Sequence, residues 1–273
     1  MPVKLKKNML MVGGIAAAVL LLLLLCLPKW EEPPKITTTA TTQAVTEPTL
    51  PPPEANPYGP TDFQYDGRYL TCLAGKSRLG IDVSAHQQEI DWEQVAQAGL
   101  EFVMLRVGYR GYESGDLVQD AFAQSNYAGA KAAGLEVGVY FFSQAVTAEE
   151  AVEEAGFLLD AISEWDVTLP VVYDWEYIGW DARTGDADKR TVTDCTIAFC
   201  EAVKAAGYAP MVYFNRHQAQ DFLHLEELTD YPFWLALYSD RMTYPYRVQM
   251  WQYTQTGKVP GIDGDVDINL WLY

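Results

Sequence analysis

Apolar and polar positions follow two rhythms along most of this 273-residue chain. From about residue 62 onward, short apolar runs alternate with stretches whose apolar residues recur three and four positions apart, as on one face of a helix. The runs predict eight strands, over 78–84, 102–110, 135–145, 169–177, 209–215, 233–239, 248–255 and 265–273. The stretches predict helices over 91–99, 118–134, 148–162 and 190–207, several of which end at a glycine.

This order of elements places the chain in the α/β class. Eight strands alternating with helices indicate a TIM-like (β/α) barrel, in which the first and last strands are neighbours. Helical patterns become scarce after Phe222. The second half of the barrel is therefore expected to be irregular.

The first 27 residues have a different pattern. Three lysines within residues 1–8 precede an unbroken apolar stretch over 9–27, which is about one bilayer span for a helix. The basic flank favours a short cytoplasmic N-terminus and a single-pass membrane anchor, with everything after it outside the cytoplasm. A cleaved signal peptide, which would give a secreted protein, is the alternative, although Pro28-Lys29-Trp30 offers no small-residue cleavage site.

Residues 28–61 are rich in Pro, Thr, Ala and Glu and contain few residues able to form a core. This composition predicts an extended or disordered linker between the anchor and the globular domain at 62–273.

Charge and cysteine content exclude some functions. Asp and Glu outnumber Lys and Arg by 37 to 19, for a formal net charge of -18, which argues against a nucleic-acid partner. The four cysteines, Cys26, Cys72, Cys195 and Cys200, show no metal-binding spacing. We expect no metal and no cofactor. Whether Cys72 pairs with a helix cysteine is left open.

The tripeptide Asp-Trp-Glu occurs twice, in different surroundings. At 91–93 it precedes a helical pattern, and Gln94 follows Asp91 by three residues, which predicts a capping box with a structural role. At 174–176 it ends the apolar run LPVVY, where two acids are costly unless they serve a purpose. Strand alternation places Val172, Asp174 and Glu176 on one face.

Two acids close together at a partly apolar barrel mouth cannot both ionise freely, so one keeps a proton. A protonated acid beside an ionised one is what cleavage of a glycosidic bond requires. The alternative is a salt-bridged or solvated strand end without catalytic function. Asp82 on the first predicted strand and Asp267 on the last occupy similar positions and are expected at the same mouth.

Aromatic residues are frequent at the same strand ends. Apolar sugar faces stack on aromatic rings, so these residues are candidates to line a glycan groove, although core packing is the more usual role for any one of them. They are Tyr109, Tyr140, Tyr213, Trp234, Tyr238, Trp251 and Tyr253.

From about Leu79 to Tyr273 the chain resembles glycoside hydrolase family 25, the lysozymes of the Chalaropsis type. The resemblance rests on the segments GIDVSAHQ, IDWEQVAQAGLEFVMLRVG, AGLEVGVYFF, YDWE and WQYTQTGKVPGIDGDVDINLW, in that order. It implies a flattened, irregular barrel that hydrolyses the β-1,4 bond between N-acetylmuramic acid and N-acetylglucosamine in peptidoglycan. One departure is Val139-Tyr140-Phe141-Phe142, where many relatives have a His.

The resemblance also implies roles for individual residues. Glu176 would be the general acid and Asp174 its partner, as a nucleophile or as the residue that steadies an oxazolinium formed by the substrate's acetamido group. Asp82 and Asp267 would complete the acidic mouth. Tyr140, Tyr213 and Gln252 would contact sugar, with Trp234 a further candidate.

Two alternatives remain: a non-catalytic cell-wall binding protein on the same barrel, and a chitinase-like hydrolase.

Overall fold

The computed structural model describes residues 50–273. The anchor predicted over 9–27 and most of the predicted linker lie outside the described residues. Within 50–273, no helix is long and apolar enough to cross a membrane.

Eleven strands and five α-helices are present in this part of the chain. The strands are β1 (Phe63–Asp66), β2 (Tyr69–Cys72), β3 (Ser77–Val83), β4 (Phe102–Arg110), β5 (Leu117–Gln119), β6 (Glu136–Ser143), β7 (Val171–Trp175), β8 (Pro210–Asn215), β9 (Phe233–Ala236), β10 (Met250–Gly257) and β11 (Val266–Leu272). The helices are α1 (Trp92–Gln97), α2 (Ala123–Ala132), α3 (Ala148–Ala161), α4 (Lys189–Ala205) and α5 (Arg216–Asp221), with single 3-10 turns at Ala85–Gln87 and Leu225–Glu227.

Eight of these strands close into a barrel in the order β3, β4, β6, β7, β8, β9, β10 and β11, and β11 pairs again with β3. They correspond to the eight strands predicted from the apolar runs, so the barrel prediction is confirmed. All neighbours run parallel except β11, which is antiparallel to both β10 and β3. After α5, the described chain has only a 3-10 turn and no further α-helix, which confirms the irregular second half.

Alternation along β7 separates an inner layer from an outer layer, as predicted. Val172 packs inside the barrel with residues such as Met104, whereas Tyr173 and Trp175 belong to the outer layer between sheet and helices. The interior is filled by large side chains because small residues make room for them: a Cβ on Gly80 would lie 2.4 Å from the Phe102 ring. The barrel is therefore packed below its mouth.

The helix ends follow the predicted signals, with one correction. Gly99, Gly134 and Gly207, which follow α1, α2 and α4, have φ values of 89°, 83° and 89° and act as helix stops. Asp91 caps α1 by accepting from the Gln94 amide at 3.1 Å.

The capping box predicted around Asp91 is only half formed. The Gln94 side chain donates to the Asp91 carboxylate at 2.8 Å instead of reaching its backbone. The Asp91 N–H donates to the Gly261 carbonyl at 2.9 Å, so that donor is already satisfied by the β10–β11 loop. The structural interpretation of this Asp-Trp-Glu copy is unaffected.

The helix predicted over 118–134 was wrong at its start. Its first residues form β5, which pairs with the end of β4, and α2 begins only at Ala123. The reason is Asp120, a buried carboxylate that accepts from the Ala85 and Phe122 amides, both at 2.9 Å, and from Arg106 Nε at 2.8 Å. These bonds hold the segment in an irregular turn.

Two further features were not predicted. The β1–β2 hairpin packs beside the barrel, and residues 54–58 of the predicted linker run along the barrel end opposite the mouth. Glu54 pairs with Arg247 at 3.1 Å, and the Tyr58 hydroxyl donates to the Tyr273 carbonyl at 2.6 Å.

The cysteines of the described part are buried free thiols at Cys72, Cys195 and Cys200.

Candidate active site

A cleft of about 290 Å³ opens at the C-terminal ends of the parallel strands, where barrel enzymes place their active sites. The structure brings all eight sequence-predicted site residues to its wall: Asp82, Asp174, Glu176, Asp267, Tyr140, Tyr213, Trp234 and Gln252. Of the other predicted aromatic candidates, Tyr238 also lines the cleft, whereas Trp251 and Tyr253 pack in the outer core.

Asp82 and Asp267 meet because β11 runs antiparallel to β3 and the two residues are direct partners in the register. The Asp82 carboxylate is buried and accepts two amide hydrogen bonds on the same oxygen, Oδ2, from Gln252 and from Asn269, both at 2.8 Å. Asp82 is thus rigidly held, and Asp267 lies beside it at the half-buried rim.

The two amides are themselves oriented by ring donors. Trp234 Nε1 donates to Asn269 Oδ1 at 2.8 Å. The hydroxyls of Tyr213 and Tyr238 donate to Gln252 Oε1 at 3.3 and 3.1 Å. Because each amide oxygen is used as an acceptor, its NH₂ group must point at Asp82. The cleft floor is therefore one connected hydrogen-bond network.

Asp174 and Glu176 lie at the end of β7. Asp174 is buried, and its Oδ1 has no hydrogen-bond partner among the described residues, whereas Glu176 is half-buried nearer the solvent. Burial, then the nearby Glu176 and Asp82 charges, raise the pKa of Asp174 well above its ordinary range. Burial and Asp82 also raise the pKa of Glu176, whereas the Asp174 side chain opposes this rise. The pair therefore keeps a proton to higher pH than an exposed carboxyl would.

The other two carboxyls shift in the same direction. Burial raises the pKa of Asp82, although the Asn269 and Gln252 amides oppose the shift. Burial and the neighbouring Asp82 raise the pKa of Asp267 to about 8. Burial and the surrounding carboxylates also raise the pKa values of Tyr140 and Tyr213 well above the ordinary value, so both phenols are hydrogen-bond donors at neutral pH.

Arg106 is the main residue that sequence reasoning missed. It lines the cleft and lowers the pKa of Asp174, but its Nε is paired with Asp120 at 2.8 Å. A charged residue in the middle of the apolar run FVMLRVGYR was the signal that could have pointed to it. Tyr109, another predicted aromatic candidate, does not line the cleft, and its ring lies 5.3 Å from the Arg106 guanidinium.

Groups suited to a metal ion are confined, within residues 50–273, to His224, Glu226 and Glu227. This cluster does not line the cleft, and Glu227 is bound by Arg190 at 2.7 Å. The cleft offers carboxyls, phenols and amides arranged for acid–base chemistry on a neutral polar ligand.

Comparison with curated proteins finds lysozymes and one protein without an assigned function. Lysozyme M1 of Streptomyces globisporus is 28% identical over 200 residues, which cover 70% of this chain and 66% of that protein. The autolytic lysozyme of Clostridium acetobutylicum is 26% identical over 192 residues, covering 70% and 54%. The uncharacterised protein YegX of Escherichia coli K12 is 27% identical over 201 residues, covering 70% and 68%.

Solved structures give the same fold. The modular autolysin LytC of Streptococcus pneumoniae, for which a complex with a synthetic peptidoglycan ligand also exists, matches with a TM-score of 0.62 at 27% identity. The match covers 71% of this chain and 46% of LytC, so this chain spans less than half of that autolysin. A family 25 glycosyl hydrolase from Bacillus anthracis matches with a TM-score of 0.60 at 20% identity, covering 76% and 94%, and supports the fold alone.

The sequence model of one family covers more than half of the chain, begins within the first barrel strand and includes the β7 carboxyls. It matches residues 81–262 and is described as glycosyl hydrolases family 25. The chain belongs to glycosyl hydrolases family 25.

Proposed function

We propose that this protein is a lysozyme that hydrolyses the β-1,4 bond between N-acetylmuramic acid and N-acetylglucosamine in bacterial peptidoglycan. The observation that carries the proposal is the Asp174–Glu176 pair, two carboxyls that line the mouth of the cleft and influence one another's raised pKa values. Family membership, the similar lysozymes and the peptidoglycan-ligand complex of LytC support it.

Glu176 is the general acid in this proposal. It is the more exposed member of the pair, so it can reach the glycosidic oxygen of a bound glycan and donate its proton as the bond to the leaving sugar breaks. Asp174 lies deeper and has the more strongly raised pKa in the free cleft, so this role requires the proton of the pair to move to Glu176 when the glycan binds.

Asp174 assists the substrate's own acetamido group. Its unpartnered Oδ1 is free to accept the acetamido N–H, which makes the acetamido oxygen a better nucleophile towards the anomeric carbon. The resulting oxazolinium is opened by water, whose proton passes to Glu176 acting as a base. Asp82, whose carboxylate accepts two amide hydrogen bonds, stabilises the positive charge that develops on the sugar ring.

The ring and amide groups on the cleft wall bind the sugar. Tyr140 and Tyr213 are protonated donors, and the Trp234 ring packs edge-on against both of them. Gln252 is committed to Asp82, so it orients the floor as well as offering a polar surface. An uncharged, hydroxyl-rich ligand suits this lining better than an anionic one.

The protein is further proposed to work on the wall of its own cell, held by the predicted anchor over 9–27 with the catalytic domain extracytoplasmic. The basic, apolar and Pro/Thr-rich segments of the first 61 residues support this placement. A cleaved signal would give a secreted enzyme with the same chemistry.

The test compares the full-length protein with two matched variants on purified peptidoglycan. Glu176→Gln is expected to lower the release of new reducing ends by at least about a hundredfold, because the general acid is lost. Glu93→Gln changes the corresponding glutamate of the other Asp-Trp-Glu copy, which is exposed on α1, and is expected to retain full activity. Equal activity in all three proteins would overturn the assignment of Glu176.

The same assay separates the alternatives. Mass spectrometry of the products should show N-acetylmuramic acid at the new reducing end. Binding to the wall without any cleavage by the wild type would favour the non-catalytic protein, and faster cleavage of chitin oligomers would favour the chitinase-like enzyme.

A further pair of probes tests the role of Asp174. A thiazoline analogue of the oxazolinium should inhibit competitively, whereas a 2-fluoro glycoside that leaves a sugar attached to Asp174 would show that this carboxylate is the nucleophile.

A further inference from the structure

Two backbone carbonyls mark the point where β7 leaves the barrel and the chain reaches Glu176. The Trp175 carbonyl accepts from Gln218 Nε2 at 2.5 Å, and the Glu176 carbonyl accepts from Gln144 Nε2 at 2.7 Å. Both glutamines are almost completely buried, at 1% and 0% exposure. A buried glutamine amide therefore holds each of the two consecutive carbonyls that frame the Glu176 residue.

The orientation of the Gln144 amide is fixed by its other bonds. Its Oε1 accepts from the buried Thr184 hydroxyl at 3.1 Å, so its NH₂ group must face the Glu176 carbonyl. The second N–H bond of that group goes to the Ser143 carbonyl at 2.8 Å. All the polar atoms of this side chain are thus used, and none is left to contact a ligand.

The backbone at Gln144 is anchored as well. Arg183 donates to the Gln144 carbonyl and pairs with both carboxylate oxygens of Glu150 on α3, at 2.6 and 2.9 Å. Thr184 and Arg183 lie in the segment that leads from Glu176 to α4. The segment after Glu176 is therefore fixed to Gln144 in the loop after β6.

The orientation of the Gln218 amide is fixed in an equivalent way, on the helix that follows β8, the other neighbour of β7. Gln218 lies in the first turn of α5, where its Oε1 accepts from the Asn215 N–H at 2.7 Å in a capping box. Only its NH₂ group remains, and this group points at the Trp175 carbonyl. The cap of a six-residue helix thus aligns the end of the neighbouring strand.

We propose that Gln144 and Gln218 are positioning residues that clamp the Trp175–Glu176 backbone and so hold the Glu176 carboxyl against Asp174. This inference rests on the proposed function of Glu176. A displacement of about 1 Å in a reacting group can lower a rate about a hundredfold. Loss of either clamp should therefore reduce turnover much more than it reduces glycan binding.

The test uses the full-length Gln144→Met and Gln218→Met variants, which keep side-chain length but remove the amide. Each is expected to lower kcat on peptidoglycan by about tenfold or more with KM changed less than about threefold. The basic limb of the pH–rate profile should also shift, because the contact with Asp174 contributes to the pKa of Glu176 and is lost when the carboxyl drifts away. A merely structural role would not move that limb.

A control and a second variant keep the inference open to refutation. Gln124→Met removes a glutamine that accepts from Trp165 Nε1 at 3.1 Å outside the cleft lining, and should keep the wild-type kcat and pH profile. Thr184→Val removes only the bond that orients Gln144. It should change kcat and the pH profile in the same direction as Gln144→Met, but by a smaller amount.

Failure of the two proposals can be told apart. A wild-type protein that never cleaves peptidoglycan contradicts the proposed function. If the wild type cleaves and the folded Gln218→Met and Thr184→Val variants show its kcat and its pH profile, the clamp is wrong, whether or not Gln144→Met folds.

Discussion

Two groups of acids, all buried or half-buried except the exposed Glu153, are built in opposite ways. The acidic mouth consists of Asp82, Asp174, Glu176 and Asp267. The arginine cluster, on the outer side of the sheet, consists of Arg110 and Arg183 with Glu150, Glu153 and Glu154 of α3.

In the arginine cluster, every carboxylate meets a guanidinium. Arg110 pairs with Glu154 and Glu153, both at 2.7 Å, and donates to the Gly115 carbonyl at 2.8 Å. Arg183 pairs with Glu150, which lowers the pKa of that carboxyl despite its burial. Burial raises the pKa of the fully enclosed Glu154 to about 7, against the effect of Arg110. The group connects β4, α3 and the segment after Glu176.

In the acidic mouth, the carboxyls meet amides and one another. Burial raises all four pKa values, and the nearest guanidinium, that of Arg106, offsets this little because it is already bound to Asp120. Like charges without a counter-ion destabilise a fold, and such an arrangement persists where chemistry needs it. The comparison teaches that counter-ions, more than burial, distinguish structural from functional acids in this molecule.

The largest effect is expected from breaking the arginine cluster. Arg110→Met leaves Glu154 buried without a counter-ion and should lower the free energy of unfolding by about 3–5 kcal/mol. The measurement is urea unfolding followed by circular dichroism. Arg247→Met, which removes the exposed pair with Glu54, should cost at most about 1 kcal/mol, and equal losses in the two variants would break the comparison.

The next largest effect is on activity, which should depend on the acidic mouth and not on the arginine cluster. Asp174→Asn should lower the rate of peptidoglycan cleavage at least about a hundredfold without lowering Tm, because the neutral amide resembles the protonated acid. Glu154→Gln should do the reverse, lowering Tm while the folded protein keeps its kcat. The contrast fails if both variants lose stability and activity to a similar degree.

The barrel was predictable because each of its eight strands carries its own apolar run. The short strands were not. The segments FQYD and YLTC of β1 and β2 have no clear alternation, and Val118 of β5 also fits the helical spacing of the residues after it. Pairing with the end of β4 and the bonds of Asp120 decided that segment, and both come from residues distant in the sequence.

The site was predictable to a similar extent. Strand alternation and barrel closure placed Asp82, Asp174, Glu176 and Asp267 at one mouth, since both follow from local pattern. The bonds that orient them did not follow, because Asn269, Gln144 and Gln218 reach their partners across 187, 32 and 43 positions of the chain. No spacing rule identifies such pairs.

A smaller effect is expected in the pH dependence of stability, to which Asp267 of the acidic mouth contributes. The pKa of Asp267 is about 8 in the folded protein and about 3.9 in an unfolded chain. Between these values the unfolded state loses its proton first, so stability falls as pH rises from about 4 to 8. Asp267→Asn removes this slope and should raise Tm by about 4–8 °C at pH 8, with the smallest difference near pH 4.

Thermal unfolding of both proteins at pH 4, 6 and 8 measures this slope. A constant difference in Tm across the series would mean that Asp267 is already ionised in the folded protein and that the acidic mouth has a counter-ion after all.

The smallest effect concerns the other Asp-Trp-Glu copy, where an exposed acid has a purely local partner. Hydrogen bonds from Gln94 lower the pKa of Asp91, the opposite of the shift at Asp174. Asp91→Ala should lower Tm by about 2 °C through loss of the helix cap and leave kcat unchanged. Thermal unfolding and the reducing-end assay check both expectations. A large loss of activity would show that position in the tripeptide, and not the surroundings of its carboxyls, determines function, which would remove the basis for distinguishing the two copies.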